Sequence, residues 1–215
     1  MLLQLSLDRI SLEEAFGLVD QTFQSIDIIE AGTPLVLKYG QNALTLLKER
    51  YPGKLLLADY KIMDGAQYES SIAFTGGADI VSVLGFASEA TVKGAVSAAR
   101  KLQKRIMVDM IGIKDVKNRI SYFESLGVDY LCIHTAIDEQ GGLNSPIAEL
   151  QQVSREVTTL KIAVAGGINL TNIDQILLCK PEILVIGSGI TTTANPGQSA
   201  AEVKRRMLEA NHEPL

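Results

Sequence analysis

The chain has 215 residues, of which 47% are hydrophobic, 21% are charged and only 5% are aromatic. This composition is typical of a globular protein and excludes an intrinsically disordered chain. The formal net charge of -5 and the pI near 5.1 argue against binding to nucleic acid or to an anionic membrane, since both need a basic surface.

One pattern repeats along the chain: a short apolar strand, a polar or glycine-containing turn, and then an amphipathic helix. Strands are predicted at residues 2–7, 26–30, 54–61, 79–84, 105–110, 129–134, 161–166 and 182–187. Helices are predicted at residues 11–23, 42–51, 65–76, 88–102, 116–127, 145–156, 170–178 and 198–210. Ser11 and Ser88 are predicted N-caps, and Gly76 and Gly127 are predicted C-caps.

The spacing of these elements predicts the fold. Successive strands are about 20 to 30 residues apart, which is the size of a βα unit. Eight such units without a composition break or a linker predict an α/β protein, a single (β/α)8 TIM barrel over residues 1–215, at the short end of the usual length range. An open doubly wound sheet is the alternative, but eight regular units favour closure.

Nothing in the sequence predicts export or membrane insertion. The first residues lack the basic region and cleavage site of a signal peptide, and no apolar run approaches the roughly 18 residues of a membrane span. Cys132 and Cys179 are far apart and form neither a disulfide framework nor a zinc-binding spacing. We therefore expect a cytoplasmic protein with reduced thiols.

Polar residues collect where the predicted strands end. In a (β/α)8 barrel the catalytic groups come from the C-terminal ends of different strands. The polar and glycine residues at these ends are Asp8, Glu30, Asp59 with Lys61, Asp109, His134, Gly166 with Gly167, and Gly187 with Ser188. Their convergence predicts an active site. The competing interpretation is a buried ion pair that closes the barrel.

The stretch LADYKIMD carries three of the charges that the sequence places at this rim. Asp59 and Lys61 are two residues apart and share one face of a strand, and Asp64 lies just beyond the strand, from where it could lean back over the mouth. Held between Asp59 and Asp64, Lys61 is expected to stay protonated. A protonated lysine suits the stabilisation of an oxyanion, whereas Schiff-base chemistry needs the neutral amine.

Two further features suggest metal and proton chemistry at the same rim. Glu30 and Asp59, on adjacent strands, offer the hard oxygen ligands that Mg2+ prefers, and the metal could polarise an enediolate. The alternative is that both carboxylates bind Lys61. His134 is a candidate acid or base, because an unperturbed imidazole titrates near neutral pH, but a strand-end histidine can also be structural.

The last two strands predict a phosphate site. AVAGGINL and VIGSGITTT each place glycines directly after a strand and before a helix, where backbone N–H groups bind anions. The loops after strands 7 and 8 are the usual phosphate site of such barrels. No arginine stands in the second motif, so the backbone amides and Ser188 would carry more of the binding. The residues alone thus predict metal-assisted enediolate chemistry on a sugar phosphate.

These motifs resemble those of the orotidine-5′-phosphate decarboxylase superfamily. LADYKIMD matches its D-x-K-x-x-D signature, and the similarity extends over nearly the whole chain through QLSLD, IIEAGTPL, DYKIMDGAQYE, IHTAIDEQ, VAGGI and VIGSGIT. Within the superfamily the chain is most similar to the 3-hexulose-6-phosphate synthases. Orotidine decarboxylase itself is less similar, because Glu30 and His134 are not part of its set. A ribulose-phosphate epimerase would need more than two histidines.

The stretch HTAID separates two families of the superfamily. The 3-keto-L-gulonate-6-phosphate decarboxylases share the Glu, the D-x-K-x-x-D signature and the His, but resemble H-R-S-R-D here, and the second Arg helps to deliver a proton. This chain has Thr135 and Ile137 in place of the arginines. The resemblance therefore favours the synthase pattern over the decarboxylase. A catalytically silent phosphosugar sensor is a third hypothesis, which the intact carboxylate, Lys and His set disfavours.

The resemblance implies a lyase of the aldolase type: a homodimer that uses Mg2+ to add formaldehyde to D-ribulose 5-phosphate, giving D-arabino-hex-3-ulose 6-phosphate. Glu30 and Asp59 would hold the metal, Lys61 would stabilise the enediolate and His134 would move a proton. The remaining site residues would position hydroxyls (Asp8, Asp64 from the neighbouring subunit, and Asp109) or bind phosphate (Gly166, Gly167, Gly187, Ser188). Asp109 could instead brace Lys61 or the dimer. Ser188 replaces a basic residue that some relatives carry, which would weaken phosphate binding.

Overall fold

The computed structural model of the protein describes residues 1–139, 146–155 and 159–212. Eight parallel strands form a closed barrel in chain order, with β8 paired to β1. They are β1 Leu2–Leu7, β2 Ile28–Ala31, β3 Leu55–Ile62, β4 Ile80–Leu84, β5 Arg105–Asp109, β6 Tyr130–His134, β7 Lys161–Ala165 and β8 Ile183–Ile186. The predicted (β/α)8 fold is confirmed, and the open doubly wound sheet is excluded.

Helices follow the strands on the outside of the barrel. They are α1 Leu12–Thr22, α2 Thr33–Tyr39, α3 Gln41–Arg50, α4 Ala66–Thr75, α5 Glu89–Lys101, α6 Ile120–Ser125, α7 Pro146–Val153, α8 Ile173–Leu177, α9 Ser188–Thr191 and α10 Pro196–His212. Short 3-10 helices lie at Val116–Arg119 and Ile137–Glu139. The predicted helix 145–156 contains α7, but residues 145 and 156 lie outside the described ranges. None of the described helices combines the length and the apolarity needed to cross a membrane.

Two of these helices, α2 and α9, are absent from the sequence prediction. The segment of α2 contains Pro34 and is bounded by Gly32 and Gly40, residues that usually indicate a turn. Proline is nevertheless well tolerated in the first turn of a helix, where its missing N–H would have no helical partner. Gly40 then ends α2 with a φ of 60°. Gly32 and Gly40 therefore mark the two ends of a helix and not a turn.

Three of the four predicted caps are present, whereas the C-cap of α6 is Leu126, one residue before the predicted Gly127. Ser11 accepts a hydrogen bond from the backbone N–H of Glu14, whose carboxylate accepts from the N–H of Ser11 in return, which is a capping box. Ser88 likewise accepts from the N–H of Thr91. Gly76 caps the end of α4, and Gly127, with a φ of 76°, follows the last turn of α6. These local signals fix where the helices begin and end.

The barrel interior is filled with side chains. The buried apolar residues inside it are Ile28, Leu57, Ile80, Met107, Tyr130, Cys132, Ala163, Ala165, Ile183 and Val185. A second, larger apolar cluster packs the outside of the strands against the helices. The interior is thus a packed core, as is usual for this fold, and reactive groups gather at its end.

Acidic residues at the N-terminal end of the barrel stabilise the strands. Asp27, Asp79 and Asp129 precede β2, β4 and β6, and each accepts a backbone N–H from the strand before it. Asp79 also pairs with Lys48 at 2.8 Å and with Lys104 at 2.6 Å. These carboxylates lie at the opposite end of the strands from the predicted site, so they are structural.

Candidate active site

A cavity of about 500 Å³ opens at the C-terminal ends of the strands. All the predicted site residues except Asp64 line it: Asp8, Glu30, Asp59, Lys61, Asp109, His134, Gly166, Gly167, Gly187 and Ser188. They come from seven of the eight strands, all but β4, or from the loops that follow them. The structure thus brings the predicted residues together, while the role of each stays a prediction.

Lys61 reaches the cavity through an irregularity in β3. The pairing of β3 with β4 shifts between Ala58 and Ile62, Lys61 has a φ of 47°, and its backbone N–H donates to Ser82 Oγ at 2.9 Å. Simple alternation along the strand therefore stops here. A positive φ at a residue other than glycine costs on the order of 1 to 3 kcal/mol and is common where a side chain is aimed into an active site.

The Lys61 ammonium group binds two buried carboxylates. Its Nζ lies 2.6 Å from Asp109 Oδ2 and 3.0 Å from Asp59 Oδ2. Burial favours the neutral amine, but the charges of Asp59 and Asp109 outweigh that effect and hold the pKa of Lys61 above its usual value. Lys61 is therefore a fixed positive charge and not a nucleophile.

The expectation that Asp64 flanks Lys61 is wrong within a single chain. Its side chain is exposed, lies outside the cavity lining and accepts a hydrogen bond from the N–H of Gly65 at 2.8 Å. The strand ends at Ile62, and the backbone turns through Gly65, with a φ of 58°, into α4. Asp64 is carried away from the mouth, and Asp109 takes its place beside Lys61. That a neighbouring subunit lends Asp64 stays a prediction.

Asp109 joins Lys61 and His134 into one unit. His134 Nδ1 lies 3.0 Å from both carboxylate oxygens of Asp109, and Oδ1 also accepts the N–H of Ile111 at 3.0 Å. Burial alone would raise the pKa of Asp109, but His134 and Lys61 hold it at about 2. Asp109 is therefore an anion that fixes the His134 ring by Nδ1, so that Nε2 is the nitrogen available for proton transfer.

Two hydroxyl groups that the sequence analysis missed hold Asp59. Thr33 Oγ1 donates to Asp59 Oδ2 at 2.6 Å, and Ser82 Oγ donates to Asp59 Oδ1 at 2.7 Å. Ser82 interrupts the otherwise aliphatic β4, and Thr33 begins α2, two residues after the end of β2. Because an isolated polar residue inside a buried strand needs a partner, Ser82 was recognisable from the sequence.

Glu30, Asp8 and Asp59 repel one another in the cavity. Glu30 is only 7% exposed and accepts from Gln4 Nε2 at 2.6 Å. Burial, followed by the charges of Asp59 and Asp8, raises the pKa of Glu30 to about 8. Burial also raises the pKa of Asp8, whose Oδ2 accepts from Ser6 Oγ at 2.9 Å. Among the described residues, the cavity lining therefore carries four carboxyl groups, those of Asp8, Glu30, Asp59 and Asp109, against the two cationic side chains of Lys61 and Arg9.

This carboxylate excess fits a divalent cation. The alternative, in which Glu30 and Asp59 both bind Lys61, holds for Asp59 only, since Glu30 is bound by Gln4. Within the described ranges no group of three or more His, Cys, Asp or Glu side chains is placed to hold a metal ion. Mg2+ does not require such a group, because it is usually held by one or two carboxylates with water and substrate oxygens.

The loops after β7 and β8 form a tight wall of the cavity. Gly166 and Gly167 have φ values of 101° and 68°, and a Cβ at Gly166 would collide with the carbonyl oxygen of Thr135. Ser188 begins α9 directly after Gly187. Backbone thus replaces side chains along this wall, as a site that binds anions through N–H groups requires.

Arg9 is a cationic group at this cavity that the sequence analysis did not single out. It directly follows Asp8, lines the cavity, and lies at the end of β1, the strand next to β8. The sequence did contain a signal for Arg9, because it is the neighbour of Asp8, a predicted site residue. Ile137 also lines the cavity and is 52% exposed. The residue that stands in place of the second arginine of the decarboxylase pattern H-R-S-R-D is therefore at the site.

Comparisons with known proteins agree with this geometry. The family model described as Orotidine 5'-phosphate decarboxylase / HUMPS family matches residues 1–203. A 3-hexulose-6-phosphate synthase of Bacillus subtilis is 41% identical over 209 residues, which are 97% of this chain and 100% of the relative. The crystal structure of 3-hexulose-6-phosphate synthase from Salmonella typhimurium has a TM-score of 0.95 at 38% identity and covers 98% of this chain and 100% of its own. A 3-keto-L-gulonate-6-phosphate decarboxylase from Vibrio cholerae, with a TM-score of 0.84 at 24% identity and 97% coverage of both chains, shares the fold.

Proposed function

Because the chain belongs to the orotidine 5'-phosphate decarboxylase / HUMPS family, we propose that this lyase adds formaldehyde to D-ribulose 5-phosphate in a Mg2+-dependent aldol reaction. The product would be D-arabino-hex-3-ulose 6-phosphate. The observation that carries the proposal is the unit of Lys61, Asp109 and His134 beside the Glu30 and Asp59 carboxylates. A fixed cation and a proton carrier next to a cation site suit enediolate chemistry.

The substrate would lie across the cavity. Its phosphate would bind the backbone N–H groups of the loops at Gly166, Gly167, Gly187 and Ser188, with the Arg9 guanidinium adding charge. Asp8 would position a hydroxyl group of the sugar. Arg9 would offset the absence of an arginine from the strand-8 motif.

Glu30 and Asp59 would hold Mg2+. They are buried on neighbouring strands, and the pKa of Glu30 is raised to about 8 by burial and by the nearby carboxylates, which a cation would relieve. When bound, Mg2+ supplies positive charge that opposes the negative charge of the enediolate oxygens.

The chain's own residues would move the proton and hold the charge. His134 Nε2 would remove a proton from C1 of ribulose 5-phosphate, and anionic Asp109 would stabilise the imidazolium that forms. Lys61 would stabilise the resulting enediolate. C1 of the enediolate would then attack the formaldehyde carbon, and the formaldehyde oxygen would take the proton from His134.

We propose that the protein is a homodimer. The loops and helices after β2, β3 and β4 carry exposed apolar side chains, namely Leu37 at 81%, Met63 at 50%, Tyr68 at 76% and Phe86 at 58% exposure. These elements follow three consecutive strands, and Met63 is next to Asp64. An exposed apolar surface of this kind supports a subunit interface that would bring Asp64 to a neighbouring site.

The function is tested by mixing the protein with Mg2+ and ribulose 5-phosphate, with and without formaldehyde. We expect a hexulose 6-phosphate to form only when formaldehyde is present. A parallel reaction contains 3-keto-L-gulonate 6-phosphate and should release little CO2. Release of CO2 without any formaldehyde-dependent product would replace the synthase by the decarboxylase, and no turnover of either compound would favour a sensor.

A further inference from the structure

Gln4 is a buried amide at the floor of the cavity. It lies in β1, is 1% exposed and lines the cavity below Ser6, which is two residues further along the strand, and Asp8, which directly follows the strand. Its Nε2 donates to Glu30 Oε2 at 2.6 Å, whereas its Oε1 has no hydrogen-bond partner among the described residues. One half of the amide thus holds Glu30, and the other half is an unused acceptor.

Folding alone does not explain this amide. The residues paired with Gln4 on the neighbouring strands are Ile28 and Val185, both apolar. An acceptor buried without a partner costs about 1 to 3 kcal/mol, so a Leu or Met at position 4 would suit the core better. The cost is accounted for if the occupant of the cavity supplies the missing donor.

We propose that Gln4 is a positioning residue for the cation site, an inference that rests on the Mg2+ of the proposed function. Its Nε2 fixes one oxygen of the Glu30 carboxylate and leaves Oε1 of Glu30 for the cation. Its own Oε1 accepts a hydrogen bond from a water molecule of the hydrated cation. Mg2+ sheds its water reluctantly and usually keeps several molecules, which provides such a donor.

The test measures cation binding in the absence of substrate, with Mn2+ as the probe and electron paramagnetic resonance or calorimetry as the readout. Gln4→Met removes both hydrogen-bonding functions and fills a similar volume. Gln4→Asn keeps the amide but shortens the side chain by one methylene group, so that the amide no longer reaches Glu30. It replaces Gln4→Met in the test if that variant does not fold. We expect the Mn2+ Kd to rise about 10-fold or more in both variants, the usual effect of removing a partner of a metal ligand.

Gln41→Met is the matched control. Gln41 is partly buried and, like Gln4, donates its Nε2, in this case to the backbone carbonyl of Ile72 at 2.8 Å, but it does not line the cavity. Its Mn2+ Kd should equal that of the wild type. In turnover assays Gln4→Met should need about 10-fold more Mg2+ for half-maximal rate, with an unchanged KM for the sugar phosphate at saturating Mg2+.

The possible outcomes separate the role of Gln4 from the proposed function. A wild-type protein that binds Mn2+ together with a Gln4→Met variant that binds it equally well would overturn the role of Gln4 and leave the proposed function intact. An equal loss in Gln41→Met would also overturn it, because the effect would then be general. A wild type that binds no Mn2+ would overturn the cation site and this inference with it, whereas the sugar-phosphate reaction is judged separately by its product.

Discussion

Replacing Asp109 by asparagine tests whether Lys61, Asp109 and His134 act as one unit. The substitution preserves shape but removes the charge that Lys61 Nζ contacts at 2.6 Å and His134 Nδ1 at 3.0 Å. Lys61 would keep Asp59 as a partner, but the His134 ring would lose the carboxylate that holds it by Nδ1. We therefore expect a loss of both stability and turnover.

The magnitude follows from the pKa of Asp109, which the structure lowers from 3.8 to about 2. A group with a lowered pKa stabilises the folded state above its unfolded pKa, and that stabilisation is lost as the pH falls through the folded pKa. The difference corresponds to about 2 kcal/mol at neutral pH. Asp109→Asn should lower the free energy of unfolding by about this amount at pH 7, and the gap to the wild type should close between about pH 4 and pH 2. Turnover should fall at least about 100-fold, because proton transfer is impaired.

Asp79→Asn provides the matched control. Asp79 binds two lysines and a backbone N–H, but at the N-terminal end of the barrel. Urea denaturation should show a loss of stability in both variants, and steady-state kinetics should show a loss of kcat in Asp109→Asn only. If Asp109→Asn kept the kcat of the wild type while losing stability, the residue would be structural and our account of His134 would be refuted.

Further changes probe the other parts of the site. Lys61→Ala should reduce kcat severely, by about 1000-fold, with the circular dichroism spectrum unchanged; near-normal activity would contradict its electrostatic role. Removal of Mg2+ by EDTA should abolish turnover and its return should restore it, and an EDTA-resistant enzyme would exclude Glu30 and Asp59 as metal ligands. Arg9→Ala should raise the KM for ribulose 5-phosphate about 10-fold with little change in kcat, while an unchanged KM would place the phosphate elsewhere. Ile137→Arg should raise the rate of 3-keto-L-gulonate 6-phosphate decarboxylation measured as CO2 release, and no gain would count against the importance of HTAID.

The barrel and most of the site lining were predictable from the sequence because both follow from short-range patterns. Eight apolar runs at βα spacing define the strands, and polar residues at their C-terminal ends must share one rim in a closed parallel barrel. His134 therefore reaches the cavity as its strand position indicates, whereas Lys61 reaches it through the irregularity of β3.

The partners of these residues were less predictable because they depend on backbone detail and on distant strands. Asp64 is three residues from Lys61 but turns away where β3 gives way to α4, whereas Asp109 comes from β5 and contacts Lys61 directly. No local sequence pattern indicates that Asp109, and not Asp64, contacts Lys61. Ser82 and Gln4 did leave a signal, as polar residues within largely aliphatic strands, but their contacts with Asp59 and Glu30 required the three-dimensional structure.

The central claim, that the site forms an enediolate from ribulose 5-phosphate, is tested most directly by hydrogen exchange at C1. Ribulose 5-phosphate is incubated with the protein and Mg2+ in D2O without formaldehyde, and C1 is followed by NMR. Because His134 would remove and return the C1 proton, we predict that deuterium enters C1 in the wild type and that Lys61→Ala or EDTA suppresses the exchange. A wild-type protein that forms product with formaldehyde but never exchanges the C1 proton, or one that leaves ribulose 5-phosphate unchanged under both conditions, would contradict the account.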